Sequence, residues 1–193
     1  MIAHVHQALA QVRAMHQHLI EKQRFKGYSG RARAFSGCVA LLAAWFLQRI
    51  PARTDLLVLW VWLAVAALCF AVNGGAVLAW FLWDPQVSRD ARRLKPTFEV
   101  VPAILAGAVL TVRLWHDGAF SYLVPIWMIV FGLANWASRH VLPRGIAAVA
   151  FLYLLCGTIL LLVNPLPFTN PWPMGIVFFI GEWMGGWALH RDE

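Results

Sequence analysis

The sequence predicts an all-α, polytopic integral membrane protein with six transmembrane helices, both termini in the cytoplasm, and an amphipathic cytoplasmic helix before the first span. Three observations support this prediction. The 193-residue chain is 61% hydrophobic and only 13% charged, with a mean hydropathy of +0.65, which leaves too little polar material to cover a soluble globule. Its apolar residues form blocks that can cross a hydrocarbon core of about 30 Å as helices. Its cations concentrate on one side of those blocks.

Residues 1–30 are predicted to form a unit of their own, an amphipathic cytoplasmic helix of about 25 residues followed by a basic hinge. Apolar residues recur at alternating spacings of three and four, as in a heptad seam, and His16 fills one gap. These residues are Ile2, Val5, Leu9, Val12 and Leu19. Three interpretations stay open for this helix: it lies on the inner leaflet, pairs with its copy in a homo-oligomer, or binds a cytoplasmic protein partner through residues 1–25. We expect the following basic residues to contact lipid headgroups: Lys22, Arg24, Lys26, Arg31 and Arg33.

Residues 31–193 are predicted to form the six-helix transmembrane bundle. The apolar blocks cover residues 33–50, 56–83, 97–115, 119–137, 141–163 and 172–189. Short connections leave no room for a second folded domain. The second block contains Asn73, Gly74 and Gly75, which indicate either a kink facing a cavity or a tilted helix with glycine packing.

The distribution of positive charge predicts the orientation of the bundle. With a cytoplasmic N-terminus and six spans, thirteen of the sixteen lysines and arginines lie inside, as the positive-inside rule requires. The three outside are Arg49, Arg53 and Arg113. Tryptophans lie near both predicted boundaries, which is typical of an aromatic belt. The N-terminus carries histidines where a signal peptide needs an apolar core, and we expect the chain to lie in a bacterial inner membrane.

Glu182 is the most informative polar residue of the sequence, because it lies near the middle of the sixth predicted span. A carboxylate at that depth costs at least a few kcal/mol on insertion scales, so it should face protein. The flanking Gly181 and Gly185 have the small-xxx-small spacing that allows a neighbouring helix to approach closely. We expect Glu182 to be protonated and to donate a hydrogen bond to a carbonyl or amide group.

Other polar groups in the predicted spans are candidates for the same site. A substrate or ion site around Glu182 would include Asn73, Asn135, Trp183 and Trp127. The tryptophans belong to this set because an indole N–H deep in a span needs an acceptor that lipid does not provide. Arg144 and Glu99 are possible charge partners, although Glu99 is also explained by an interfacial ion pair with nearby cations.

Several functional classes lack support in the sequence. The net charge of +7 is explained by cations at helix ends, and no basic face suggests nucleic acid as a partner. We predict no metal site and no cofactor, since no span carries paired ligands and the histidines after residue 30 lie at span boundaries. The N-terminal histidines are interpreted as solvated, and the three cysteines as small hydrophobic residues. No nucleophile motif supports an enzyme.

Two functions from different classes therefore remain. The first is a small transporter or channel-like protein with a polar site around Glu182, favoured because acidic residues within spans are usually functional. The second is a non-transporting membrane anchor or regulatory subunit that binds a cytoplasmic or membrane partner. In both cases the protein lies in the lipid bilayer, and a homo-oligomer is compatible with either function.

Overall fold

The computed structural model describes residues 27–84, 94–163 and 166–191. The expected amphipathic helix, the headgroup cations Lys22, Arg24 and Lys26, and most of the long second connection lie outside the described residues. Within them the chain is all-helical and contains no strand, which confirms the predicted all-α class. The helices are α1 Gly30–Arg49, α2 Asp55–Trp83, α3 Lys95–Glu99, α4 Val101–His116, α5 Leu123–Ala137, α6 Gly145–Val163 and α7 Trp172–His190.

Four helical segments are long and apolar enough to cross a membrane. They are Asp55–Trp83, Thr97–His116, Phe120–His140 and Gly145–Val163. Helices α1 and α7 have similar lengths of 20 and 19 residues but lower hydropathy, because α1 contains three arginines and α7 is rich in tryptophan and glycine. The structure thus supports a multi-pass membrane protein with at least these four candidate spans.

Local sequence explains where the helices begin and end. Ser29 and Thr54 cap α1 and α2 by accepting backbone N–H bonds at 3.3 Å each, which satisfies donors that a helix N-terminus otherwise leaves free. Asn170 accepts from the backbone N–H of Trp172 at 3.2 Å, at the start of α7. Helix α2 continues without a break through Gly74 and Gly75, and a Cβ added at either glycine would meet nothing within 4 Å. This segment therefore forms neither a break in the helix nor a close glycine contact with the described residues.

The helices form an antiparallel bundle whose principal contacts run in the order α2, α1, α7, α6, α5, α4. The most extensive contact joins α1 to α7. A Cβ at Gly30 would lie 2.5 Å from the carbonyl oxygen of Gly186, and Gly175 packs against Ala44 at the opposite end of the same interface. The start of α1 and the end of α7 consequently lie at one end of the bundle, which we term the first end. We term the opposite end of the bundle the far end.

Two apolar clusters fill the interior. One lies toward the far end and includes Leu47, Val58 and Met128, and the other lies toward the first end and includes Val77 and Ile146. The buried polar side chains lie partly toward the first end, because Arg33 and Asn135 are within about one turn of the ends of α1 and α5 there, whereas Glu182 lies in the middle of α7.

Most tryptophans near the helix ends are exposed, as an aromatic belt requires. The exposed ones are Trp45, Trp60, Trp83, Trp115, Trp136 and Trp187. Trp62 differs, because it is only 2% exposed and its indole N–H has no acceptor among the described residues. It packs in the apolar cluster of the far end instead of lying at a membrane surface.

Candidate functional site

A buried ion pair joins α1 to α7. Arg33 donates from Nε to Oε2 of Glu182 at 3.0 Å and from Nη2 to Oε1 at 2.7 Å, so the two groups meet in a bidentate arrangement. Arg33 is 8% exposed and Glu182 is 5% exposed. Charges this deeply buried require a partner, because the effective cost of desolvating an isolated ion is several kcal/mol.

Two further side chains complete what we call the polar network, defined as Arg33, Asn135, Tyr153 and Glu182. The hydroxyl of Tyr153 donates to Glu182 Oε1 at 3.1 Å, and Arg33 Nη2 also donates to Asn135 Oδ1 at 3.1 Å. Asn135 in turn donates from Nδ2 to the carbonyl oxygen of Phe131 at 2.9 Å. Since the four residues belong to α1, α5, α6 and α7, the polar network fixes four helices relative to one another.

Glycines on α7 and α1 create the space that the polar network occupies. A Cβ at Gly185 would lie 2.7 Å from Cζ of Arg33, and one at Gly181 would lie 2.5 Å from the hydroxyl oxygen of Tyr153. At Gly37 a Cβ would lie 3.1 Å from Cβ of Glu182. The small-xxx-small spacing of Gly181 and Gly185 thus allows close approach, as its pattern indicates. The groups that approach are the side chains of the network.

Asn73 belongs to a separate polar contact between α2 and α1. Its Nδ2 donates to Oγ of Ser36 at 2.9 Å and to the carbonyl oxygen of Cys69 at 2.9 Å. Ser36 is 5% exposed and lies three residues after Arg33 on α1. The structure therefore brings Asn73 close to the network along the same helix, but it bonds neither Glu182 nor Arg33.

The other residues expected at the site lie elsewhere. Trp127 donates from Nε1 to Oγ1 of Thr111 at 2.8 Å, which links α5 to α4. Trp183 is 49% exposed on the outside of α7. Glu99 and Arg144 are both exposed at the first end. Of the expected set, only Asn135 joins Glu182 in the network.

Arg33 differs most from the expectation drawn from the sequence, which assigned it to lipid headgroups. The structure buries it and pairs it with Glu182, whereas Arg31 remains exposed. Glu182 also differs, because it accepts hydrogen bonds at both oxygens instead of donating one. This pattern of acceptance fits an ionised carboxylate opposite a guanidinium.

The spacing of small residues in α1 could have indicated from the sequence that Arg33 faces protein. Gly37, Ala40 and Ala44 follow Arg33 at intervals of four, three and four residues, so they share its helix face. Such a run of small residues marks a surface for close helix packing. An arginine at the end of that surface faces protein, and Glu182 between two glycines of α7 is a matching acid.

The polar network can do little chemistry because its charged groups are already paired and buried. Both charges are neutralised within the network, and all four residues are at most 8% exposed. Two concavities among the described residues, near Thr169 and near Ser121, are lined by other side chains. Within the same residues no group of His, Cys, Asp and Glu side chains could hold a metal ion. The arrangement supports fixed helix packing more directly than ligand binding.

Comparison with protein-family models, with curated proteins and with solved structures finds no match for this chain.

Proposed function

We propose that this chain is a six-span integral membrane protein that serves as a non-transporting anchor or regulatory subunit. The observation that carries the proposal is the closed polar network: Arg33 and Glu182 neutralise each other, and the carboxylate has a donor at each oxygen. An ion-binding carboxylate needs a free coordination position and a path to water. Glu182 is only 5% exposed and both its oxygens are already bonded to described side chains, which supports placing the proposed activity outside the membrane interior.

Helix geometry and charge distribution support the proposed topology. The first residue of α1 lies beside the last turns of α7, as an even number of crossings requires. Principal neighbours in the bundle run antiparallel, so α1 and α7 complete a six-helix arrangement with the four apolar candidates. A cytoplasmic first end gives the thirteen-to-three distribution of cations, and this agrees with the positive-inside rule.

The proposed partner is a cytoplasmic protein that binds residues 1–25. The heptad spacing of Ile2, Val5, Leu9 and Val12 provides an apolar seam, and a helix of this kind binds in a hydrophobic groove. The six-span bundle would hold that helix at the cytoplasmic face of the inner membrane. Binding a second copy of the helix and lying on the leaflet are the alternatives that the experiment must separate.

Proton- or cation-coupled transport is the second candidate. It is favoured by one observation, the presence of three ionisable side chains, Arg33, Tyr153 and Glu182, in contact within the bundle. Buried ionisable groups of membrane proteins commonly belong to ion or proton pathways. In this case Glu182 would have to leave Arg33 during the transport cycle.

Flux and crosslinking separate the two functions. Full-length protein in proteoliposomes should show no potential-driven proton, sodium or potassium flux above that of protein-free vesicles. A photo-crosslinking residue at Leu9 should capture one discrete cytoplasmic protein in cells, whereas the same residue at Leu162, which is exposed on α6, should not. Flux that disappears in Glu182→Gln would refute the proposal and favour transport. Crosslinking of Leu9 only to lipid or to a second copy would refute the cytoplasmic partner.

A further inference from the structure

An open concavity lies at the far end of the bundle, away from the polar network. It has a volume of about 530 Å³ and is lined by residues 48–53, which lead from α1 to α2, and by Thr169, which precedes α7. We call it the loop concavity.

Two arginines of the loop concavity have no carboxylate partner among the described residues. Arg49 lies with its guanidinium 4.8 Å from the ring centroid of Trp45, and Arg53 donates from Nη1 to the carbonyl oxygen of Leu47 at 2.8 Å. Stacking occupies the face of a guanidinium and leaves its N–H edge available. Arg113, also near the far end, is different because it pairs with Asp117 at 2.9 Å.

The surrounding helix ends leave the loop concavity positive. The C-terminus of α1 contributes a partial negative charge of about 0.5, but Arg53 donates to one of its carbonyl groups. Asp55, two residues beyond Arg53, offsets one guanidinium at the N-terminus of α2. The N-terminus of α7 begins three residues after Thr169 and adds partial positive charge. One uncompensated guanidinium and the α7 N-terminus remain to attract an anion.

We propose that the loop concavity binds a phosphate group through Arg49 and Arg53. Guanidinium forks match the geometry of phosphate oxygens, and an arginine can bind two of them at once. Trp45 is half-exposed beside Arg49, and indoles of this kind lie at the boundary between hydrocarbon and headgroups. The phosphate is therefore that of an anionic phospholipid in the leaflet at the far end, and the hydroxyl of Thr169 is available to the rest of the headgroup.

Binding to purified full-length protein tests this site. Affinities would be measured by native mass spectrometry and by thermal shift with phosphatidylglycerol, phosphatidylcholine and inorganic phosphate as separate probes. Arg49→Gln should weaken phosphatidylglycerol binding about tenfold, which corresponds to loss of one charged hydrogen-bonding group. Arg113→Gln is the matched control, because it removes another arginine near the far end whose charge is already paired. Arg53→Lys retains the charge and should weaken binding less than Arg53→Gln.

The outcomes distinguish the source of the phosphate from the existence of the site. Preferential phosphatidylglycerol binding that depends on Arg49 supports the lipid site. Equal, Arg49-dependent binding of inorganic phosphate supports the site but assigns it a soluble ligand. Binding unchanged in Arg49→Gln, or weakened as much by Arg113→Gln, overturns the proposal. Since stacking on Trp45 is the only side-chain interaction of Arg49 with the described residues, its substitution should leave the ligand-free melting temperature nearly unchanged.

Discussion

Replacing the two members of the buried ion pair, singly and together, should reveal a large coupling energy. Arg33→Leu removes two hydrogen bonds from Glu182, at 2.7 and 3.0 Å, and leaves a carboxylate buried with Tyr153 as its remaining donor. Breaking a buried pair in this way costs about 3–5 kcal/mol. Glu182→Leu should cost a similar amount, because it leaves the guanidinium with Asn135 as its remaining partner in the network.

The double variant should be much more stable than the sum of the single variants indicates. It removes both charges and leaves Asn135 Oδ1 and the Tyr153 hydroxyl without their partners, at about 1–3 kcal/mol each. Apolar side chains of similar volume can replace a buried ion pair with little loss. The expected double cost is about 2–6 kcal/mol, which gives a coupling energy on the order of 4 kcal/mol in a double-mutant cycle.

Unfolding in mixed micelles, followed by circular dichroism as dodecyl sulfate is added, measures these free energies at fixed pH. All four proteins must be compared in the same detergent, since the reference state includes the micelle. Additive effects of Arg33→Leu and Glu182→Leu would refute the reasoning. A cost below about 1 kcal/mol for either single variant would also refute it, because such a value belongs to an exposed pair.

Three other experiments test further features of the structure. Gly185→Ala should destabilise the bundle by about 1–3 kcal/mol by overpacking against the Arg33 guanidinium, whereas the control Gly74→Ala, whose Cβ meets nothing within 4 Å, should be neutral or stabilising in the same unfolding assay. Tyr153→Phe keeps the packed ring and removes one bond to a carboxylate, so it should cost about 1.5–3 kcal/mol in that assay. With all native cysteines replaced, a cysteine at His116 should react with an impermeant thiol reagent in intact cells and one at Arg144 should react only after permeabilisation; the reverse would contradict the proposed orientation.

Much of the fold follows from the sequence because the solvent sets strong constraints. Apolar blocks of helical length predict the long helices, and the described helices begin and end within a few residues of those blocks. The continuity of α2 through Gly74 was harder to predict. Glycine weakens a helix in water, but a bilayer offers backbone groups no competing partner, so the helical hydrogen bonds persist.

The candidate site was predictable only in part. Glu182 was recognisable from its depth and its flanking glycines, whereas Arg33 was assigned to headgroups because arginines near the start of a span usually follow the positive-inside rule. The pairing itself connects residues 149 positions apart. No local pattern encodes a contact of that range. From the sequence alone, Asn73, Asn135 and Arg144 are equally suitable partners for Glu182.

The separation of Arg33 from Glu182 has a consequence for biosynthesis. At about 5–20 residues per second, the ribosome makes Glu182 roughly 7–30 s after Arg33. In the proposed six-span topology, α1 would therefore be in the bilayer during that interval without its acidic partner. Arg33 lies three residues from the start of α1, about 4.5 Å along the axis, and its long side chain can reach the cytoplasmic surface during that interval. We expect Arg33→Lys, which keeps this reach, to insert normally, and nascent chains ending before α7 to leave a cysteine at position 33 open to alkylation from the cytoplasm. In the proposed topology, burial of position 33 would then report the arrival of α7, and completion of the chain would be the step that closes the bundle.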